Sequence, residues 1–141
     1  MPFLLHQIAI EAPPERVYAA LATQKGLRSW WTVDTTVETR VGGSARFGFD
    51  KRSTVFRMTI EELIPPKRVV WSCHGDHKEW NGTKLIWDVA PDDSGSVLRF
   101  RHANWRKASD FFATCNSTWG ELMYRLKAYV EGKNPGPHWT E

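Results

Sequence analysis

The sequence predicts an α+β fold: one curved antiparallel sheet of about six to seven strands around a long C-terminal helix, with two short helices after the first strand. Three observations predict it. Phe112, Cys115, Trp119, Leu122, Leu126 and Tyr129 step by three or four through residues 109–131, which makes one apolar stripe on a helix roughly 30 Å long. Ahead of that helix, short period-2 runs are separated by Gly, Pro and Asn turns of hairpin type. Near the N-terminus, a proline-led helical pattern interrupts the strands.

The elements follow in order. Residues 3–11 read as a first strand that ends at Ala12-Pro13-Pro14-Glu15. Proline in the first turn of a helix loses nothing, because the early N–H groups have no partner in any case. Val17 with Leu21 and Tyr18 with Ala22 give a short helix, and Thr23 caps a second piece carrying Leu27 and leading to Trp30-Trp31. Residues 35–39 form a weak strand before the turn Val41-Gly42-Gly43-Ser44. Residues 45–50 put Phe47 and Phe49 on one face, and 54–63 do the same with Phe56, Met58 and Ile60. Pro65-Pro66-Lys67 turns the chain into 68–74, where Val69, Trp71 and Cys73 alternate. After a polar loop over 75–82 come 84–90, with Leu85, Trp87 and Val89 facing one way. In the last strand, 97–103, Leu98, Phe100 and His102 share a face. Arg46, Arg57, Lys84, Asp88, Arg99 and Arg101 alternate with these apolar positions, so the outside of the sheet faces water. The tail 132–141 is expected to be irregular, with Trp139 able to pin it.

The 141 residues suit one domain spanning 1–141, large enough for a core without disulfide or metal. Apolar residues make up 41% and charged residues 25%, which excludes a disordered chain. Cys73 and Cys115 fall inside apolar runs and read as buried free thiols. The net charge of +3 is scattered, without the basic stripe of a nucleic-acid binder. With neither a membrane-length apolar segment nor a leader pattern at Met1-Pro2-Phe3, the expectation is a cytoplasmic protein, monomeric or homodimeric.

Several motifs resemble a known family. They are Ala12-Pro13-Pro14-Glu15-Arg16-Val17-Tyr18 with Leu21, the Trp30-Trp31 pair, Val41-Gly42-Gly43, and Pro65-Pro66-Lys67-Arg68-Val69-Val70-Trp71. The strand ending at His102 follows in the same order, then Trp119 with Leu122, Leu126 and Tyr129-Val130-Glu131-Gly132. Together they resemble the SRPBCC superfamily, in the group related to the C-terminal domain of the activator of the 90-kDa heat-shock protein ATPase. The resemblance implies the START-like, Bet v-like helix-grip fold, in which the sheet grips the last helix around a cavity for apolar or amphipathic ligands. It also implies a stress-response setting and a chaperone or other protein as an alternative partner, met through a basic outer face at Arg57, Arg99 and Arg101. Related folds host cyclase, hydratase or hydrolase chemistry in that cavity, so an enzyme is a third reading.

Bulky rings between a concave sheet and a helix leave a void that smaller side chains would close. The expected lining is Trp30, Trp31, Phe47, Phe49, Phe56, Met58, Trp71, Trp87, Phe100, His102, Phe112, Cys115, Trp119 and Met123. Some of these serve simply as core. A buried imidazole needs partners for its ring nitrogens, so His102 is either satisfied internally or anchors a ligand. His74-Gly75-Asp76-His77, with Glu79 close by, has the residue types of a metal site but no remote ligand to complete one. No nucleophile elbow and no phosphate-binding Gly loop is present, and no cofactor or catalytic residue is expected.

Overall fold

Proline opens the first helix, and a single threonine joins it to the second. In the computed structural model, which describes residues 1–75 and 77–141, strand β1 (Leu4–Ile10) leads to α1 (Pro14–Ala22) and α2 (Gln24–Trp30). The Thr23 hydroxyl donates to the Ala19 carbonyl (2.6 Å) at the end of α1 and accepts from the Gly26 N–H (3.0 Å) at the start of α2. One side chain thus satisfies the loose backbone groups of two helix ends. Gly26 lets the two helices touch. A Cβ built there would stand 2.6 Å from the Ala20 Cα and 2.7 Å from the Ala19 carbonyl oxygen, both of them backbone atoms. Within a helix, alanine is ordinarily about 1 kcal/mol better than glycine. Here the sign should reverse. Gly26→Ala is expected to destabilise the protein by about 2 kcal/mol through overpacking, read from its urea-unfolding midpoint. A stabilised variant would contradict the close crossing.

The remaining strands are β2 (Asp34–Val37), β3 (Ser44–Phe49), β4 (Thr54–Ile64), β5 (Arg68–His74), β6 (Lys84–Asp92) and β7 (Gly95–Ala103), followed by α3 (Asp110–Val130). All pair antiparallel in one sheet of order β1-β7-β6-β5-β4-β3-β2. The first and last strands are therefore neighbours, and β2 lies at the opposite edge. The register shifts between Ile60 and Glu62, and a bulge of that kind bends a strand and helps the sheet to curl.

The period-2 alternation becomes two faces. Phe47, Met58, Trp71, Leu85, Trp87, Leu98 and Phe100 are all buried on the inner face, while Arg57, Lys84, Arg99 and Arg101 are exposed on the outer one. On α3 the predicted stripe points inward: Cys115, Trp119, Leu122 and Leu126 are buried, with Phe112 and Tyr129 half-buried at its ends.

The helix limits expected at Ser109 and Glu131 are its two caps. Ser109 Oγ accepts from the Phe112 N–H (3.1 Å) at the N-terminus. At the other end, the Glu131 carboxylate accepts from the Glu11 N–H (2.8 Å) and from Lys127 Nζ (2.6 Å), and Lys127 also donates to the Ala9 carbonyl (2.9 Å). This knot fastens the end of α3 to the edge strand β1. Lys127 beside it holds the Glu131 carboxyl below the usual carboxylate range.

The tail after α3 is irregular and is tied down. Trp139 makes a parallel bridge with Thr32, its N–H donating to the Trp31 carbonyl and its carbonyl accepting from the Val33 N–H, both at 3.0 Å. Arg125 donates to the carbonyls of Pro135 and Gly136.

Candidate functional site

A cavity of about 290 Å³ remains between the sheet, the N-terminal half of α3 and the tail. Phe49, Asp50, Thr54 and Phe56 reach it from β3, β4 and their connection, and Trp31 from the end of α2. The segment after β5 contributes His77 and Trp80, and α3 contributes Phe111, Thr114, Cys115, Thr118, Trp119 and Leu122. Trp139 of the tail closes the ring.

The rings are too large and too rigid to fill one another's gaps. Phe56 and Trp80 stack at 3.9 Å between centroids, Trp31 and Trp119 meet tilted at 5.2 Å, and Phe49 meets Trp139 edge-on at 4.7 Å. Such offset and T-shaped contacts satisfy the ring quadrupoles while fixing the walls apart. His77 stacks on Phe111 at 4.2 Å.

Of the fourteen residues expected to line a cavity, Trp31, Phe49, Phe56, Cys115 and Trp119 do so together. Trp30, Phe47, Met58, Trp71, Trp87, Phe100, His102 and Met123 lie buried in the core, outside that lining. Phe112 is half-buried and packs edge-on against Trp105 at 5.1 Å. Trp30 anchors the helix pair to the core, its indole N–H donating to the Ala20 carbonyl (2.9 Å).

His102 is fully buried, and both of its ring nitrogens are engaged. Trp119 Nε1 can only donate, so at 3.2 Å it makes Nδ1 of His102 the acceptor. The ring proton then sits on Nε2 and is donated to Thr83 Oγ1 (2.9 Å), whose own hydroxyl donates to the Trp80 carbonyl (2.6 Å). This chain fixes Trp119 from behind and ties α3 to the segment that carries Trp80. Burial pushes the His102 pKa down to about 3, so the ring is neutral at physiological pH.

Burial also pushes the Cys115 thiol up to about 11, which keeps it protonated and a poor nucleophile. At His77, Nδ1 accepts from the Glu79 N–H (3.2 Å), which leaves the proton on Nε2 as a donor. The two histidines of the metal-like sequence part company. His74 Nε2 bonds Thr59 Oγ1 (2.6 Å) at the end of β5, whereas His77 turns to Phe111; Asp76 between them lies outside the described residues. Among the described residues, no three of His, Cys, Asp and Glu are grouped to hold a metal, and no helix is long and apolar enough to cross a membrane.

The lining residues that sequence reasoning passed over were hidden in two ways. Phe111, Thr114 and Thr118 run beside the core stripe of α3, to which Leu122 belongs, and the threonines hide that flank from an apolar count. His77, Trp80 and Trp139 lie outside regular elements, where no periodicity marks a face.

A family model described as "Activator of Hsp90 ATPase homolog 1-like protein" matches residues 11–131. The chain belongs to this family. The match begins just after β1 and runs to the cap of α3, and it includes every residue that lines the cavity except Trp139. The Aha1 dimer of Colwellia psychrerythraea, solved in solution, is 33% identical to the chain, with a TM-score of 0.86 over 94% of this chain and 98% of that one. Protein MLL2253 from Mesorhizobium loti (15% identity, TM-score 0.83, 92% and 97% covered) shares the fold. So does CV1439 from Chromobacterium violaceum (23% identity, TM-score 0.76, 93% and 99% covered). No curated protein matches the chain. Family and fold together make this a binding domain of the cavity type.

Proposed function

We propose that this family member binds a small apolar or amphipathic molecule in the aromatic cleft between its sheet and α3, as a carrier, sensor or stress-response protein of the cytoplasm. The observation that supports this most is the cavity of about 290 Å³ walled by Trp31, Phe49, Phe56, Trp80, Phe111, Trp119 and Trp139. A domain with no use for such a space would gain stability by filling it, because each unfilled void forfeits contacts. Native mass spectrometry against a panel of aromatic and aliphatic amphiphiles tests the reading. Thr118→Trp should fill the cleft and weaken any captured compound by about tenfold or more, with an unchanged circular dichroism spectrum. Capture of nothing by the wild type, or equal capture by the filled variant, would overturn it.

A second reading is a protein contact through the outer face of the sheet, and the family's description favours it. Arg46 stands opposite Arg57, and Arg57 opposite His74, in the register of β3, β4 and β5. Arg99 and Arg101 are exposed on the same outer face, and a basic surface of this kind suits an acidic partner. Co-precipitation with Hsp90 should then fall as salt is raised, since the contact is led by charge. The dimer reported for the Colwellia relative suggests that this chain also pairs, which sedimentation would show.

A further inference from the structure

We propose that the cleft selects an organic cation, a flat aromatic molecule bearing a positively charged nitrogen, through Asp50 at its wall. The inference rests on the ligand-binding reading above and names the ligand's class. Among the cavity's lining residues there is one carboxylate, Asp50, and neither lysine nor arginine. The protein as a whole carries +3, so the sign of this site runs against the sign of the molecule.

Asp50 is the first of three successive residues in the left-handed region, with φ of 51°, 57° and 66° at Asp50, Lys51 and Arg52. Non-glycine residues seldom occupy that region, least of all in a row. The turn sorts three neighbouring charges. Lys51 pairs with Glu141 (3.7 Å), and Arg52 makes a two-pronged contact with Asp34 (2.8 and 3.3 Å). The adjacent cations therefore have carboxylates of their own. Asp50 is an exposed residue at the mouth of the cleft that it lines, and its side chain makes no hydrogen bond or ion pair among the described residues.

Phe49, Phe56, Trp31, Trp80, Trp119 and Trp139 line the same cleft. Aromatic faces carry negative potential and attract a cation within about 6 Å, more strongly when water is excluded. A carboxylate lining the same cleft adds an attraction of the same sign. Thr54, Thr114 and Thr118 supply hydroxyls but no opposing charge. The combination rewards an apolar ring with a fixed or protonated nitrogen over the same ring without one.

Three probes of one shape separate the possibilities: N-methylquinolinium, neutral 1-methylnaphthalene and anionic 1-naphthoate. Binding is measured by calorimetry and by the shifts of the tryptophan indole N–H signals in NMR. The cation should bind roughly tenfold tighter than the neutral probe, and naphthoate should bind weakest. Asp50→Asn, which keeps the left-handed turn accessible, should bring the cation down to the affinity of the neutral compound. Asp93→Asn removes the same charge at an exposed turn away from the cleft, and should leave the preference intact. If the neutral probe binds the wild type as well as the cation does, or naphthoate binds best, the cation preference is refuted while the binding reading stands. If both variants lose the preference alike, general charge and not Asp50 is responsible, and the inference again falls. Binding of none of the three would remove the ligand reading and this inference together.

Discussion

Trp119→Ala should lower the unfolding free energy by about 4 kcal/mol, a large part of what a domain of this size has available. Trp119 is 2% exposed and meets Trp31, Trp87 and Phe100 at 5.2, 5.7 and 4.5 Å between ring centroids. It also closes the contact between α3 and the inner face of β7. Its loss removes the largest ring on the buried stripe of α3 and leaves Nδ1 of His102 without its donor. Trp119→Phe separates the two contributions, because it keeps a ring and deletes the N–H. It should cost about 1–3 kcal/mol, the range for stranding a buried polar atom plus a smaller packing loss. Urea unfolding of both variants checks the order. A midpoint for Trp119→Ala within error of the wild type would show that this residue does not join helix to sheet.

Stability should also fall steeply as the medium is acidified from pH 6.5, and His102 is the main reason. Burial puts its folded-state pKa at about 3, against an ordinary value of 6.5 in the unfolded chain. Between those values the unfolded state binds a proton that the native state refuses. Unfolding is therefore favoured as pH drops, by about 1.4 kcal/mol per pH unit. Above pH 6.5 both states are neutral at this residue and the dependence vanishes. Burial lowers the His6 pKa as well, so it adds a dependence of the same sign.

The paired carboxylates Asp34, Glu38 and Glu131 have lowered pKa values. They favour the native state above their ordinary range of about 3.8–4.5 and withdraw that support only below it. The window from pH 6.5 to about 4.5 thus belongs to the histidines, and it should hold a loss of about 3 kcal/mol from His102. His102→Gln would lower stability at pH 7 yet flatten the slope in that window. An unaltered slope would mean that His102 is not the titrating group.

Most of the frame was legible before folding. The i, i+3, i+4 stripe on α3 named the buried face, and both helix caps fell at the residues where the pattern stops. Alternation in β3 to β7 assigned inner and outer faces correctly at Phe47, Met58, Trp87 and Phe100, because a period of two leaves no freedom once one residue is buried. The edge strand was less legible. It was expected over 35–39 and is found at Asp34–Val37, since a short edge strand takes its limits from its single partner β3. His102 sits on the inner face as alternation requires, but which of its two readings holds depended on Thr83 and Trp119, from two other places in the chain.

By itself, the order of residues decided the class of fold and the two faces of every long element, because periodicity and capping are local and are written one turn or one pleat at a time; the family followed from the resemblance of its ordered motifs. Only the tertiary structure decided which buried rings front open space. That depends on where unpatterned residues arrive, and Asp50, His77, Trp80 and Trp139 come from a turn, a loop and a tail. A cavity is what packing leaves over, and no local rule in the chain records the place where packing stops.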